Sequence, residues 1–438
     1  MRNRWVVYLL LAVFLLTLTA GFIYSLPPVH ERLAWRVASL QTKIRYAISP
    51  PAQVVFVPEG AAVTGTSDTA GLENLTEQTP TPSQPILPTH TQPGATQTPV
   101  PPPTPTQTPT PLPETVNLVG AVHEYQQLNN CGPATLSTAL SYWGWQGDQR
   151  DTRAYLRPNY QQVDDKNVSP TEMVAFVESE TALNALTRVG GDIEQLKRLI
   201  AAGFPVVIER GLQQHPSDWM GHYVLLTGYD NARARFISQD SLIMADLPVP
   251  YEQLDGGWWR DFNYTYLVVY PPEREVEVLS ILGAQAEQAY NFQFAAQKAL
   301  TETSSLNGRD QFFAWYNLGT NLTHLQDYAG AAEAFDLAFG TYQTIPEENR
   351  PWRNLWYQPG PYEAYYHTGR YQDIIRLGNQ TLDIAGPILE ETYYWLGMAR
   401  EAEGDLDKAI YDYRKAYEIN PISTPARQEL KRLGIEVP

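Results

Sequence analysis

The 438-residue chain has one cysteine, Cys131, in the stretch His123-Glu-Tyr-Gln-Gln-Leu-Asn-Asn-Cys131-Gly-Pro-Ala-Thr135. A polar loop runs into Cys131 and a helix is expected to start there. Pro133 suits a first helical turn, Leu136, Leu140 and Trp143 recur at helical spacing, and Gly144 closes the helix. A thiol at a helix N-terminus faces unpaired N–H groups and the positive end of the dipole, which favour thiolate, the nucleophilic form. The alternative is a buried structural cysteine, because free cysteine is among the most buried residue types.

A thiolate nucleophile needs a base, and the base needs an orienting group. Of seven histidines, His30 and His90 lie in the amino-terminal and linker regions, and His324 and His367 in a helical repeat region. His123, His215 and His222 remain. His222 follows Met220-Gly221 and opens an apolar strand, a rigid position able to face a cleft, so it is the expected base. Asp240 ends the next strand, and adjacent antiparallel strands can set it beside His222. Asp230 falls in the connecting turn and reads as a turn former. Serving as a helix or turn cap is the alternative role for Asp240. A tetrahedral oxyanion would find the Cys131 backbone N–H and a second donor upstream. Gln126 or Gln127 supplies it, with Asn129 and Asn130 as turn-forming alternatives.

Residues 117–272 must position these groups. Ser169-Pro-Thr-Glu172 reads as a capping box, and Asp192 opens a helix that ends at Gly203. Strand-like runs follow at 204–209, 222–228, 234–238 and 264–270. Helices first and an antiparallel sheet afterwards define an α+β domain. Trp258 and Trp259 are candidates for the substrate cleft, with core packing the alternative for at least one of them.

Residues 276–438 are helical and repetitive. Trp315-x-x-Leu318-Gly319 precedes Tyr328, Ala331, Phe335 and Ala338. Tyr393-x-x-Leu396-Gly397 precedes Gly404, Ala409, Tyr413, Ala416 and Pro421. The two glycines are two periods of about 34 residues apart plus an insertion, placed at Pro346–Trp356. A degenerate middle repeat falls around Tyr365, Gly369, Tyr371 and Ile374, and 280–303 is a candidate further helical pair.

The remainder reads as attachment. Residues 1–50 comprise an uncharged apolar run, 5–26, long enough for one membrane span, and a basic amphipathic segment at 31–46. A cleaved signal peptide is the alternative for the first run. Residues 51–116 form a Pro/Thr-rich linker that cannot bury a core and suits an extended stalk. Such a stalk suggests a body outside the cytoplasm, held at the cell membrane by a single pass. One cysteine excludes an intrachain disulfide and cysteine-rich metal sites. The formal net charge of -17, with the basic residues of the first fifty positions set against it, disfavours nucleic-acid binding. No cofactor or metal is expected.

Gln126-x-x-Asn-Asn-Cys131-Gly-Pro-Ala, Gly221-His222-Tyr-Val-x-x-x-Gly-Tyr-Asp and Asp240 together resemble the papain-like bacteriocin-leader (double-glycine) peptidases, family thirty-nine of the cysteine peptidases. The likeness is to the stand-alone branch and covers about 150 residues. It implies that Cys131 is the nucleophile, His222 the general base, Asp240 its orienting acid and Gln126 the oxyanion-hole amide. Ser241 stands where the transporter-linked members commonly carry proline. No transporter follows, so leader cleavage does not carry over. The carboxy-terminal region resembles the tetratricopeptide repeats, which implies a solenoid offering a surface to a peptide or protein partner. Capping the neighbouring domain is the alternative role. The expectation is a membrane-anchored cysteine peptidase acting on a peptide or protein substrate. A non-catalytic peptide clamp and a thiol acyl transferase or amidase are the alternatives.

Overall fold

The computed structural model describes residues 2–26, 29, 37, 40, 44, 56–58, 111–158, 167–213, 218–386, 388–422 and 424–437. Most of the basic segment at 31–46, most of the linker, and His30, His90 and His215 lie outside the described residues.

Helix α1 covers Arg2–Ser25. Side chains of residues 1–7, 9 and 10 are not among those described. Among the described residues, no helix is long and apolar enough to cross a membrane. The membrane span expected at 5–26 falls partly on side chains outside the described residues.

The middle region is a sheet with helices on both faces. Its strands are β1 (Thr115–Asn117), β2 (Asn184–Arg188), β3 (Val206–Gln213), β4 (Trp219–Asp230), β5 (Arg235–Asp240), β6 (Met244–Pro250) and β7 (Tyr266–Tyr270). The order is β2-β7-β3-β4-β5-β6, every pairing is antiparallel, and β1 pairs with the far end of β4. Successive residues point to opposite faces. Val207, Leu225, Leu267 and Val269 meet α2 (Cys131–Tyr142) and α4 (Pro170–Glu180). Val206, Ile208, Val224, Leu226 and Val268 meet α5 (Ile193–Ala201) and α6 (Glu275–Leu282). Between α2 and α4 lies α3 (Gln149–Leu156).

The local signals act as read. Ser169 and Glu172 make the reciprocal capping box of α4, and Asp192 caps α5 through Gln195 N–H at 2.7 Å. Gly144 and Gly203 take left-handed φ values of 87° just past their helices. Strands β2 and β6 were not anticipated. Both lie at sheet edges, and β6 carries Pro248 and Pro250, which a sheet tolerates at its edge.

The carboxy-terminal helices stack in pairs. They are α7 (Gln288–Ser305), α8 (Gly308–His324), α9 (Tyr328–Tyr342), α10 (Gly360–His367), α11 (Tyr371–Ala385), α12 (Glu390–Ala402), α13 (Leu406–Ile419) and α14 (Thr424–Arg432). Only the short helical turns Glu347–Asn349 and Asn354–Tyr357 interrupt the inserted stretch between α9 and α10. The repeat glycines allow close approach within pairs. A Cβ at Gly319 would lie 2.8 Å from the Phe335 ring, and one at Gly397 would lie 2.6 Å from the Tyr413 ring.

The repeats pack directly on the sheet domain. Asn263 and Asn321 exchange amide hydrogen bonds at 2.8 and 3.1 Å. Arg353 donates to Asp218 at 2.7 Å and to the Trp219 carbonyl at 2.9 Å. The buried Asp261 accepts from Trp219 Nε1 at 2.8 Å and pairs with Arg309. Gly211 admits that carboxylate, since a Cβ there would lie 1.9 Å from Asp261 Oδ2.

Replacing Gly397 by Val forces a branched side chain against Tyr413. Overpacking of this kind costs about 1–3 kcal/mol. The unfolding transition of the full chain, followed by far-UV circular dichroism, should move to lower temperature; an unchanged transition would remove the close-packing account.

Candidate active site

Helix α2 begins at Cys131, with Asn130 in the N-cap position. The thiol stands at the terminus where backbone N–H groups have no helical partner. Residues 124–130 lead into it, and α3 holds them. Gln149 accepts from Gln127 N–H at 2.8 Å and from the Asn130 side-chain amide at 2.9 Å. Its own amide donates to the Tyr125 carbonyl at 2.8 Å and to Glu124 at 3.1 Å. Arg157 donates to the Asn129 carbonyl at 2.9 Å, and Arg153 bonds the Gln127 side chain. Asn129 takes the left-handed conformation, φ 52°.

These contacts separate the amide candidates. Gln127 is engaged by Arg153 and Asn130 by Gln149, and Asn129 makes the turn. Gln126 is buried, and its Oε1 accepts from Ser241 Oγ at 3.0 Å. Its backbone N–H donates to the Ser241 carbonyl at 2.9 Å. Occupying the carbonyl oxygen leaves the NH2 of this side chain as the donor group. Ser241, noted above as a departure from the transporter-linked pattern, thus orients Gln126.

Strand register brings the other groups together. Arg210 lies directly opposite His222 across the β3–β4 ladder. Leu225 lies opposite Gln239 across β4–β5, which sets Asp240 beside Val224 and diagonal to His222. Diagonal neighbours on one face are within reach of long or aromatic side chains. His222 Nε2 and Asp240 Oδ1 are 2.9 Å apart, at exposures of 2% and 0%. Asp240 Oδ1 also accepts from the N–H groups of Leu242 (2.9 Å) and Ile243 (3.1 Å). The charge of His222 acts on the Cys131 thiol.

The electrostatics follow from these contacts. Burial pushes the Cys131 thiol up, but the hydrogen bond and charge of His222, with backbone donors, leave it below its ordinary value. Burial pushes the imidazole down, and the charge and hydrogen bond of Asp240 override it, raising His222 to about 9. Burial likewise opposes ionisation of Asp240, yet His222, the Leu242 N–H and Arg210 hold it below the carboxylate range. The arrangement favours a thiolate beside an imidazolium.

Several expected or overlooked residues have other places. His123 stacks edge-on against Tyr125 at 4.9 Å, and burial lowers its pKa while Asp240 raises it. Asp230 caps the turn after β4 through Arg233 N–H, as its turn reading expects. Trp259 is fully buried in the sheet core, and Trp258 packs against the repeats under Arg309. Core packing, the alternative weighed above for at least one of them, is the place of Trp259. Glu209 was not anticipated. It faces Tyr223 across the ladder, and burial raises its carboxyl to about 8, with Cys131 adding to the rise. A carboxyl neutral at pH 7 puts no repelling charge beside a thiolate. The available sequence signal was the Glu209-Arg210 pair inside an apolar strand.

The fold and this constellation define a papain-like α+β peptidase domain followed by helical repeats. Residues 119–265 match the Peptidase_C39 like family, and residues 390–422 match the tetratricopeptide repeat. No curated protein matches the chain. Similar solved structures include a C39-like peptidase from Bacillus anthracis, 20% identical, with a TM-score of 0.29 over 36% of this chain and 98% of that one. Another is Xylellain, a cysteine protease from Xylella fastidiosa, 15% identical, with a TM-score of 0.29 over 36% of this chain and 87% of that one.

Gln149→Ala would orphan the Gln127 N–H and the Asn130 amide. Each buried donor left unsatisfied costs about 1–3 kcal/mol. The melting temperature should fall and alkylation of Cys131 by iodoacetamide should slow; a variant matching wild type in both would show that α3 does not hold the loop.

Proposed function

We propose that this chain is a cysteine peptidase acting on a peptide or protein substrate. The observation that supports the reading is the buried His222–Asp240 pair at 2.9 Å, with Cys131 at the first position of α2. Cys131, as thiolate, attacks the scissile carbonyl. The oxyanion is met by the Cys131 backbone N–H and the Gln126 NH2, donors aimed where charge develops. The His222 imidazolium gives its proton to the leaving amine as the C–N bond breaks. Water, deprotonated by His222, then attacks the thioester, and the carboxylic acid product leaves with the thiol restored. Asp240 holds the ring's tautomer and favours its charged form, as the third group does in related triads.

We further propose that residues 5–26 tether the body to the cell membrane, with the body outside the cytoplasm. The support is the uncharged apolar run itself and the exposed Phe14, Leu16 and Phe22 side chains of α1. Partition of the full chain into the membrane fraction, lost when the run is deleted, is the expected outcome; partition unaffected by the deletion would refute it.

Turnover of a peptide library should vanish in Cys131→Ala and fall by about 10²–10⁴ in His222→Ala, the range of positioned acid–base catalysis. Retained turnover in Cys131→Ala would end the reading. A vinyl-sulfone probe should label wild type at neutral pH far faster than His222→Ala. The sign of the pH effect follows from the raised His222 pKa. The protonated ring, needed for the leaving amine, persists below about 9 and is lost as pH rises through that value. The alkaline limb of kcat/KM should therefore lie near pH 9. In Asp240→Asn the raising charge is gone, so the limb should move to lower pH. A limb that stays put would break the assigned coupling.

A further inference from the structure

The repeats carry a groove that is already occupied. Phe56, from the Pro/Thr-rich linker region, is 5% exposed and belongs to the core cluster of the repeats. Its ring meets Phe339 edge-on at 5.0 Å and Tyr365 at 6.4 Å. Trp352, Leu355, Leu377 and Ile384 line the same groove. Val57 is half exposed and Pro58 is buried again, the alternation of an extended strand lying in a cleft. Gln380 Oε1 also lines the groove, buried and without a hydrogen-bond partner among the described residues. An unpaired buried acceptor is costly, and a passing peptide N–H would satisfy it.

We propose that this groove is the docking site for the chain's own segment Phe56-Val57-Pro58, which binds there in cis as an aromatic anchor on an extended backbone. Two consequences follow. The described segments on either side of that stretch both lie on the folded body, Phe56 among the repeats and Thr115–Asn117 against β4, so the reach from the body to residues 1–50 is set ahead of Phe56. The groove is also self-occupied: a partner carrying the same aromatic-and-proline chemistry must displace Phe56 to bind. This inference concerns the repeats and does not depend on the peptidase reading.

The test uses the full chain and a fluorescently labelled synthetic peptide of residues 52–60, followed by anisotropy. The peptide should bind the Phe56→Asp chain and bind wild type at least about tenfold more weakly, because a tethered segment competes at an effective concentration that reaches the millimolar range for short flexible linkers. Adding Ile384→Arg to Phe56→Asp should abolish binding. Equal binding to wild type and Phe56→Asp would overturn the cis docking, as would no binding to either at millimolar peptide. Binding that survives Ile384→Arg would overturn the location. If Phe56→Asp does not fold, Phe56→Ala replaces it with the same readouts. Because Cys131 and His222 are untouched, thiol labelling should remain at the wild-type rate whichever way the docking result falls.

Discussion

An imidazole and a carboxylate with almost no solvent exposure can be kept in a protein only as a pair. Removing water from either charge is expensive, and breaking a buried pair by deleting one member costs on the order of 3–5 kcal/mol. His222 and Asp240 meet that condition at 2.9 Å, with two backbone N–H groups adding to the carboxylate side. Everything that fixes the β4–β5 register therefore also fixes the site. Strand β3 supports it from the other side, setting Arg210 opposite His222 and adding positive charge near Asp240. The thiol of Cys131 then gains a charged neighbour that offsets its own burial.

The repeats act first as a buttress. The interface with the sheet domain is polar as well as apolar: the Asn263–Asn321 exchange, the Arg353 contacts and the buried Asp261 all cross it. Asp261 lies in a pocket opened by Gly211, on the strand that carries Arg210. Trp219, at the start of β4, stacks on Phe262 at 5.6 Å and meets Phe313 of α8 at the same distance. The strand bearing His222 is thus seated partly on the repeat domain. Of the two roles weighed for the repeats, covering the neighbouring domain is visible in these contacts. The proposed docking of Phe56 gives the repeats an occupant drawn from the same chain.

Much of the site was legible because its signals are local. Cys131-Gly132-Pro133 announces a helix start, Ser169 and Glu172 a cap, and Gly203 a stop; each depends on a few consecutive residues and on backbone chemistry. His222 and Asp240 were found because strand ends and a short hairpin limit where a base and its acid can meet. The residues by themselves left Gln126 and Gln127 open, and only the family resemblance pointed to Gln126. The choice turns on Arg153 and Ser241, residues remote in sequence from the loop they hold. Nothing local marks Gln149, and its four side-chain contacts exist only once α3 packs on the loop. Glu209 and Arg210 fall at and just past the end of the expected strand 204–209, and only the ladder sets them beside Tyr223 and His222.

By itself, then, the order of residues determined the chain's one thiol, the helix that presents it, the α+β character of the middle region and the repeating glycines behind it. Those properties come from short-range preferences of backbone and side chain. Tertiary structure alone decided which amide is buried against Ser241, which charged groups surround the imidazole, and that Phe56 lies among the repeats. Each of those depends on contacts between residues far apart in the chain, whose pairing is set by strand register and helix packing and by nothing in the residues' immediate neighbours.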